Sequence, residues 1–287
     1  MAAECYVCDA DCLQMKKFKL LLPFLRTLFS KPQIILKALY HAIVNEDRKE
    51  YVTKQYNLYN GLYELDLFEV FPEFAGEVDC FTHLYGTSLP IDFIILKKLA
   101  ARFTDCDYLE IGSWRGESLA NLSPVCKSCV SISLSDDDMR RLGFTDAFVN
   151  MQRMFSHDLP NVKHVAANSR TFDFSSLNQK FDLIFVDGDH SYEGVLNDTR
   201  KVFQLLKNDN SIIVWHDCVT QYELPDWEVV AGIMDGTPPE KRSHIYHISN
   251  SLCAVYLPGG MKAVLPEFPK YPDKNFKVTI TSERITG

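Results

Sequence analysis

Residues 107–122 read DYLEIGSWRGESLANL, and the fold follows from this stretch. Asp107–Ile111 is a short apolar run of the kind that forms a buried strand. Gly112 comes directly after it, Gly116 four residues later, and Glu117–Leu122 then reads as a helix. Strand, glycine turn and helix make up the repeating unit of open α/β sheets. Ligands bind such sheets at the turn, outside the carboxyl end of the strand. Gly112 lets the chain turn sharply and lets a ligand approach the backbone, while Gly116 permits close packing at the helix start.

The glycine spacing is G-x-x-x-G, not the G-x-G-x-x-G that cradles a dinucleotide pyrophosphate. Glu110 stands two residues before the first glycine. A carboxylate there repels a pyrophosphate. It suits S-adenosylmethionine, which carries an ammonium and a sulfonium and no phosphate.

Outward from this turn, strand and helix signals alternate. A helix is predicted from Pro90, strands at 129–134, 162–166, 181–186 (FDLIFV) and 211–215 (SIIVW), and helices from Asp136 and over 191–206. Strands separated by helices predict an α/β fold, a Rossmann-like, doubly wound and mostly parallel sheet over residues 86–257. Residues 244–248 and 252–256 bracket Ser249, Asn250 and Ser251, which predicts a C-terminal antiparallel hairpin on the sheet edge. Residues 1–85 read as an N-terminal helical extension. Ile34, Ile35, Ala38, Leu39, Ala42 and Ile43 recur on one helix face there. This extension is expected to cap the site or to join two copies into a homo-oligomer. Residues 258–287 form a tail rich in proline and lysine, with a strand-like run at 276–280.

Composition narrows the class. The chain has 287 residues, 46% of them apolar and 24% charged, with a net charge of −8. That is ample for one α/β domain with additions. The acidic balance offers no long-range attraction to nucleic acid, so no such partner is expected. No run of about 18 apolar residues is present to cross a membrane. Residues 16–29 have basic flanks and an apolar centre, like a signal peptide, but Arg26 closes the apolar stretch early and no small-x-small cleavage site follows. An amphipathic helix packed on the body is expected, with membrane-surface contact as the alternative. Nine cysteines, an odd number, read as free thiols in a reducing cytoplasm. Neither the Cys5, Cys8, Cys12 cluster nor the Cys126, Cys129 pair is followed by the further ligands of a zinc site.

The chemistry gathers after residues 181–186. Asp187, Asp189 and His190 follow this strand, and His216 and Asp217 end the next one. Adjacent strands place all five at the carboxyl edge of the sheet, beside the glycine turn. Two routes to an activated acceptor remain open. A divalent cation such as Mg2+, held by Asp187 and Asp217, lowers the pKa of an acceptor oxygen. Alternatively, His190 or His216 acts as general base near neutral pH.

Taken together, DYLEIGSWRGESLANL, FDLIFVDGDHSYEGV and SIIVWHD resemble the class I S-adenosylmethionine-dependent methyltransferases, in particular their small-molecule O-methyltransferase branch with its sugar and antibiotic-tailoring enzymes. The resemblance covers residues 86–257. It implies a seven-stranded sheet with the last strand antiparallel, S-adenosylmethionine as methyl donor, and a sugar or other small hydroxyl compound as acceptor. Glu110, Gly112, Ser113 and Gly116 would surround the methionine half of the donor, with Trp114, Ser118 and Asp187 in the same pocket. Asn168 and Ser169 would meet the adenine. The family usually places an acid at the end of the second strand to bind the ribose. Ser133 holds that position here, and of Asp136, Asp137 and Asp138 just after it, Asp137 is the candidate. Tyr192, and Trp227 in the segment after the fifth strand, are placed near the acceptor. Two other readings compete. A nicotinamide-dependent oxidoreductase is opposed by the glycine spacing and Glu110, and a non-catalytic module of the same fold by Asp187, His190, His216 and Asp217.

Overall fold

The computed structural model describes residues 23–83, 86–220 and 223–285. Cys5, Cys8, Cys12 and residues 16–22 lie outside them. The main elements run, in chain order, α1 (Pro32–Tyr56), β1 (Glu64–Leu65), α2 (Leu67–Val70), α3 (Pro90–Ala100), β2 (Asp107–Ile111), α4 (Glu117–Leu122), β3 (Ser128–Ser133), α5 (Asp136–Arg141), α6 (Asp146–Val149), β4 (Val162–Ala166), β5 (Leu183–Val186), α7 (Tyr192–Val202), β6 (Ile212–Trp215), α8 (Trp227–Gly236), β7 (Ile245–Ile248) and β8 (Ala254–Tyr256).

The strands form one sheet in the order β1-β7-β8-β6-β5-β2-β3-β4. β2 pairs in parallel with both β3 and β5, so the winding direction reverses between β2 and β5 and opens a crevice at their carboxyl ends. The Rossmann-like architecture predicted from the strand–helix alternation is present. β7 and β8 form the antiparallel hairpin, with β8 inserted antiparallel beside β6. Seven strands make up the expected sheet. An eighth, the two-residue β1, adds in parallel to β7, so the hairpin is not the outer edge.

Alternate residues of each central strand point to opposite faces. Leu109, Ile111, Ile184, Val186, Ile213 and Trp215 join one apolar cluster with residues of α7 and α8. Tyr108, Leu183, Phe185, Ile212 and Val214 join the other, with residues of α3 and α4. Both faces are covered, which is why these strands read as unbroken apolar runs. Trp215 is fully buried, and its indole N–H donates to Thr199 Oγ1 at 2.9 Å.

One expectation fails here. Residues 276–280 alternate like a strand but pair with nothing and form no strand; Val278 and Ile280 stay exposed, because alternation without a neighbouring strand makes no ladder. Of the basic-apolar segment 16–29, residues 16–22 lie outside the described residues. Residues 23–30 are helical, and Phe24, Leu25 and Phe29 are exposed. Downstream, α1 is fixed to the body near its C-terminal end. The Tyr51 hydroxyl donates to Asp235 at 2.8 Å, the Tyr192 hydroxyl to the same carboxylate at 2.7 Å, and the Tyr56 hydroxyl joins them. No helix among the described residues is long and apolar enough to cross a membrane. The six described cysteines are free thiols, five of them buried.

Candidate functional site

A cavity of about 960 Å³ lies over the carboxyl ends of β2, β3, β5 and β6, near the upper end of the range for small-molecule sites. Its position follows from the backbone. Gly112 turns away from β2 at φ +88°, and a Cβ on it would meet the Asp187 carbonyl oxygen at 2.2 Å. Only glycine lets the two strand-end loops run this close. Gly116, at φ +85°, abuts Ser156 in the same way.

One end of the cavity is built from β2, β3 and β4. Glu110, Ser113, Trp114, Ser118, Asn168 and Ser169 all line it. Glu110 is fully buried. Its Oε2 accepts from the Tyr108 hydroxyl at 2.8 Å, while Oε1 has no hydrogen-bond partner among the described residues. Burial pushes the Glu110 carboxyl up to about 7, against the Ser118 and Tyr108 hydroxyls, which favour the charged form. The Ser113 hydroxyl is buried beside the same carboxylate, favours its charged form, and makes no hydrogen bond of full geometry. A buried carboxylate oxygen with an open hydrogen-bonding position, beside a serine hydroxyl, fits a ligand carrying both a cation and an acceptor group, as the amino-acid part of S-adenosylmethionine does. Trp114 lines this end but is already stacked on Phe148, with ring centroids 4.0 Å apart, and its indole N–H donates to the Phe148 carbonyl.

The ribose expectation needs correction. Asp137 does not line the cavity. It sits on the solvent side of the short α5, 81% exposed and 3.6 Å from Arg140. In its place Ser133 and Gln152 face the cavity. The Gln152 amide donates to the Leu134 carbonyl at 2.8 Å, and its Oε1 is buried without a partner. Gln152 belongs to an irregular turn between α6 and β4, and no periodicity or motif marked it.

The other end is built from β5 and β6. Asp187, His190, His216 and Asp217 are brought together as predicted from the adjacent strand ends. His216 Nδ1 lies 3.3 Å from Asp187 and 3.2 Å from Asp217. His190 reaches the same two carboxylates at 3.3 and 3.4 Å. Asp92, from the first turn of α3, completes the group. It is fully buried, lies 3.2 Å from His216 Nε2, and accepts from the backbone N–H groups of Leu89 and Leu252. Sequence reasoning missed it, since an acid two residues after Pro90 reads as an ordinary helix cap, and it does cap Leu89.

The electrostatics bear on the two histidines. Burial alone would lower the His216 pKa, but Asp187, Asp217 and Asp92 raise it well above the ordinary imidazole value. His190 is also raised, through its hydrogen bond to Asp187. Asp187 is held well below the usual carboxylate range: burial works against its charge, and His216 and His190 outweigh burial. His216, 6% exposed, is therefore a charge-balancing imidazolium, whereas His190, 42% exposed, faces the cavity. Asp189 is engaged elsewhere, by Arg170 at 2.6 Å, and Ser191 caps α7. Ligand atoms of Asp187, His190 and Asp217 lie within 4.8 Å of one another, a spacing that could hold a metal ion. Tyr192 and Trp227 do not line the cavity. The first points to α1 and α8, and the second is buried in the core.

Residues 109–218 match a family model described as a methyltransferase domain, and the methyltransferase resemblance read from the strand-end motifs stands on this match. The chain is 28% identical over 145 residues to an uncharacterized protein of Acanthamoeba polyphaga mimivirus; the match covers 47% of this chain and 62% of that protein, less than two thirds of its length. Similar solved structures include an S-adenosylmethionine-bound amino pentose methyltransferase of calicheamicin biosynthesis from Micromonospora echinaspora. It is 15% identical, with 49% of this chain and 58% of that chain covered and a TM-score of 0.35. Another is a TDP-rhamnose 3'-O-methyltransferase of calicheamicin biosynthesis, 13% identical, with 60% and 79% covered and a TM-score of 0.41.

Proposed function

We propose that this protein is an S-adenosylmethionine-dependent methyltransferase that methylates a hydroxyl of a small molecule, a sugar or a similar compound. The observation that carries the reading is the buried, half-satisfied carboxylate of Glu110 at the mouth of the β2 turn. A buried acceptor left open costs stability unless a ligand completes it, and this one calls for a cation. A dinucleotide would bring a pyrophosphate against it instead. The methyltransferase-domain match supports the same reading.

In this proposal Glu110 and Ser113 hold the amino-acid part of the donor, and Ser133 and Gln152 take the ribose hydroxyls in place of the usual acid. Asn168 and Ser169 border the adenine. When bound, S-adenosylmethionine supplies an electrophilic methyl group on a positive sulfur. The chain's own task is to align the acceptor oxygen and remove its proton. His190 is assigned as the base, because it reaches the cavity and its protonated form is matched by Asp187 and Asp217. Asp92 and His216 position these two carboxylates. A second reading rests on the spacing of Asp187, His190 and Asp217. These residues would hold a divalent cation such as Mg2+, which would lower the pKa of a bound hydroxyl.

Titration calorimetry with S-adenosylhomocysteine and, separately, with NAD tests the proposal. Saturable heat from the first alone is expected. Heat from NAD alone would reverse the assignment, and silence from both, with the fold intact, would remove it.

A further inference from the structure

Lys16, Lys17, Lys19, Arg26, Lys31 and Lys37 fall between residues 16 and 45, and no Asp or Glu does. The whole chain has 30 Lys and Arg against 38 Asp and Glu, so removing these six leaves −14 on the remainder. The same stretch presents large apolar side chains to solvent. Phe29 is 83% exposed, Leu36 63% and Ile43 58%, with Ile34 and Leu39 about half exposed. The anchor formed by Tyr51, Tyr56 and Asp235 lies at the other end of α1. Ile34 is about 25 Å up the helix from Tyr51 at 1.5 Å per residue, well away from that anchor.

We propose that the exposed apolar side of residues 23–44 is an interfacial arm that, with the basic charge the sequence gathers in and just before it, docks the protein on an anionic lipid bilayer. The argument is charge complementarity joined to exposed apolar surface. A bilayer interface takes apolar side chains into its acyl boundary and offers anionic headgroups to lysine and arginine, and both are needed for durable binding. A second copy of the arm is a poor occupant. Face to face, two arms would bring twelve cations together without one carboxylate between residues 16 and 45 of either chain, whereas interface cores are depleted in charge. The −14 remainder would be repelled by the same headgroups, so the protein would meet the membrane through the arm with its body held away.

The test is sedimentation of the full chain with phosphatidylcholine vesicles, with and without phosphatidylserine. Binding to the anionic vesicles should be stronger by on the order of tenfold or more and should collapse in high salt. The combined variant Arg26→Gln, Lys31→Gln, Lys37→Gln should lose the preference for anionic vesicles. The variant Leu36→Ser, Leu39→Ser should weaken binding to them, with an unchanged circular dichroism spectrum and melting temperature, because both side chains are exposed. Equal binding to both vesicle types, binding to neither, or a stable dimer that the Leu36→Ser, Leu39→Ser variant dissolves would each overturn the proposal.

Discussion

The two ends of the cavity share one wall, where Gly112 meets Asp187, yet they handle buried polarity in opposite ways. At the β5–β6 end, three carboxylates and two imidazoles offset one another within the protein, with one negative charge left over when both imidazoles are protonated. At the β2–β3 end, Glu110 Oε1, Ser113 Oγ and Gln152 Oε1 are buried with hydrogen-bonding positions open. One end is built to keep its charges in place; the other is built to be finished by something that enters. Loss of a group should therefore damage folding at the first end and binding at the second.

The largest effect expected is at the compensated end. His216→Leu strips the fully buried Asp92 of its cation, and breaking a buried pair from one side costs about 3–5 kcal/mol. Urea unfolding at pH 7 measures this. A loss under about 1 kcal/mol, the size of a surface pair, would break the contrast.

Glu110→Gln should act with the opposite sign. A carboxyl raised to about 7 in the folded state favours the fold below its unfolded value, and that stability is lost as pH rises through 7. The loss is roughly 3 kcal/mol by pH 8. The Gln variant should lack this decline and be the more stable protein at pH 8, while binding S-adenosylhomocysteine far more weakly. Parallel stability–pH curves for the two proteins would rule out an isolated buried carboxyl. Gln152→Ala should leave stability nearly unchanged and weaken the same ligand by about 1 kcal/mol, the worth of one hydrogen bond; Gln152→Glu, which restores an acid, should tighten it. Asp137→Asn marks the lower limit. At an 81% exposed position it should shift neither stability nor affinity by more than about 0.5 kcal/mol.

How much of this was legible beforehand depended on scale. The parallel strands could be read because burial on both faces makes each an apolar run, and the Asp187, His190, His216, Asp217 group could be placed because neighbouring strands end side by side. β1 could not, since two residues carry no period. Asp92 was hidden by its resemblance to a routine cap, and its distance to His216 depends on how α3 packs over the sheet. Gln152 enters from a turn whose path only the tertiary structure sets. Asp137 misled because proximity in sequence to the end of β3 said nothing about which side of α5 it would occupy. The strand-like 276–280 failed for want of a partner, a property no local pattern contains.

The pairing of β1 with β7 sets a schedule for biosynthesis. Glu64 and Leu65 leave the ribosome about 180 residues before their partners His247 and Ile248. Until then Leu65, Leu67, Val70 and Phe71, all buried in the finished protein, lack part of the surface that covers them. The nascent chain must carry this apolar segment uncovered through most of its translation, which makes it the natural point of contact for a chaperone.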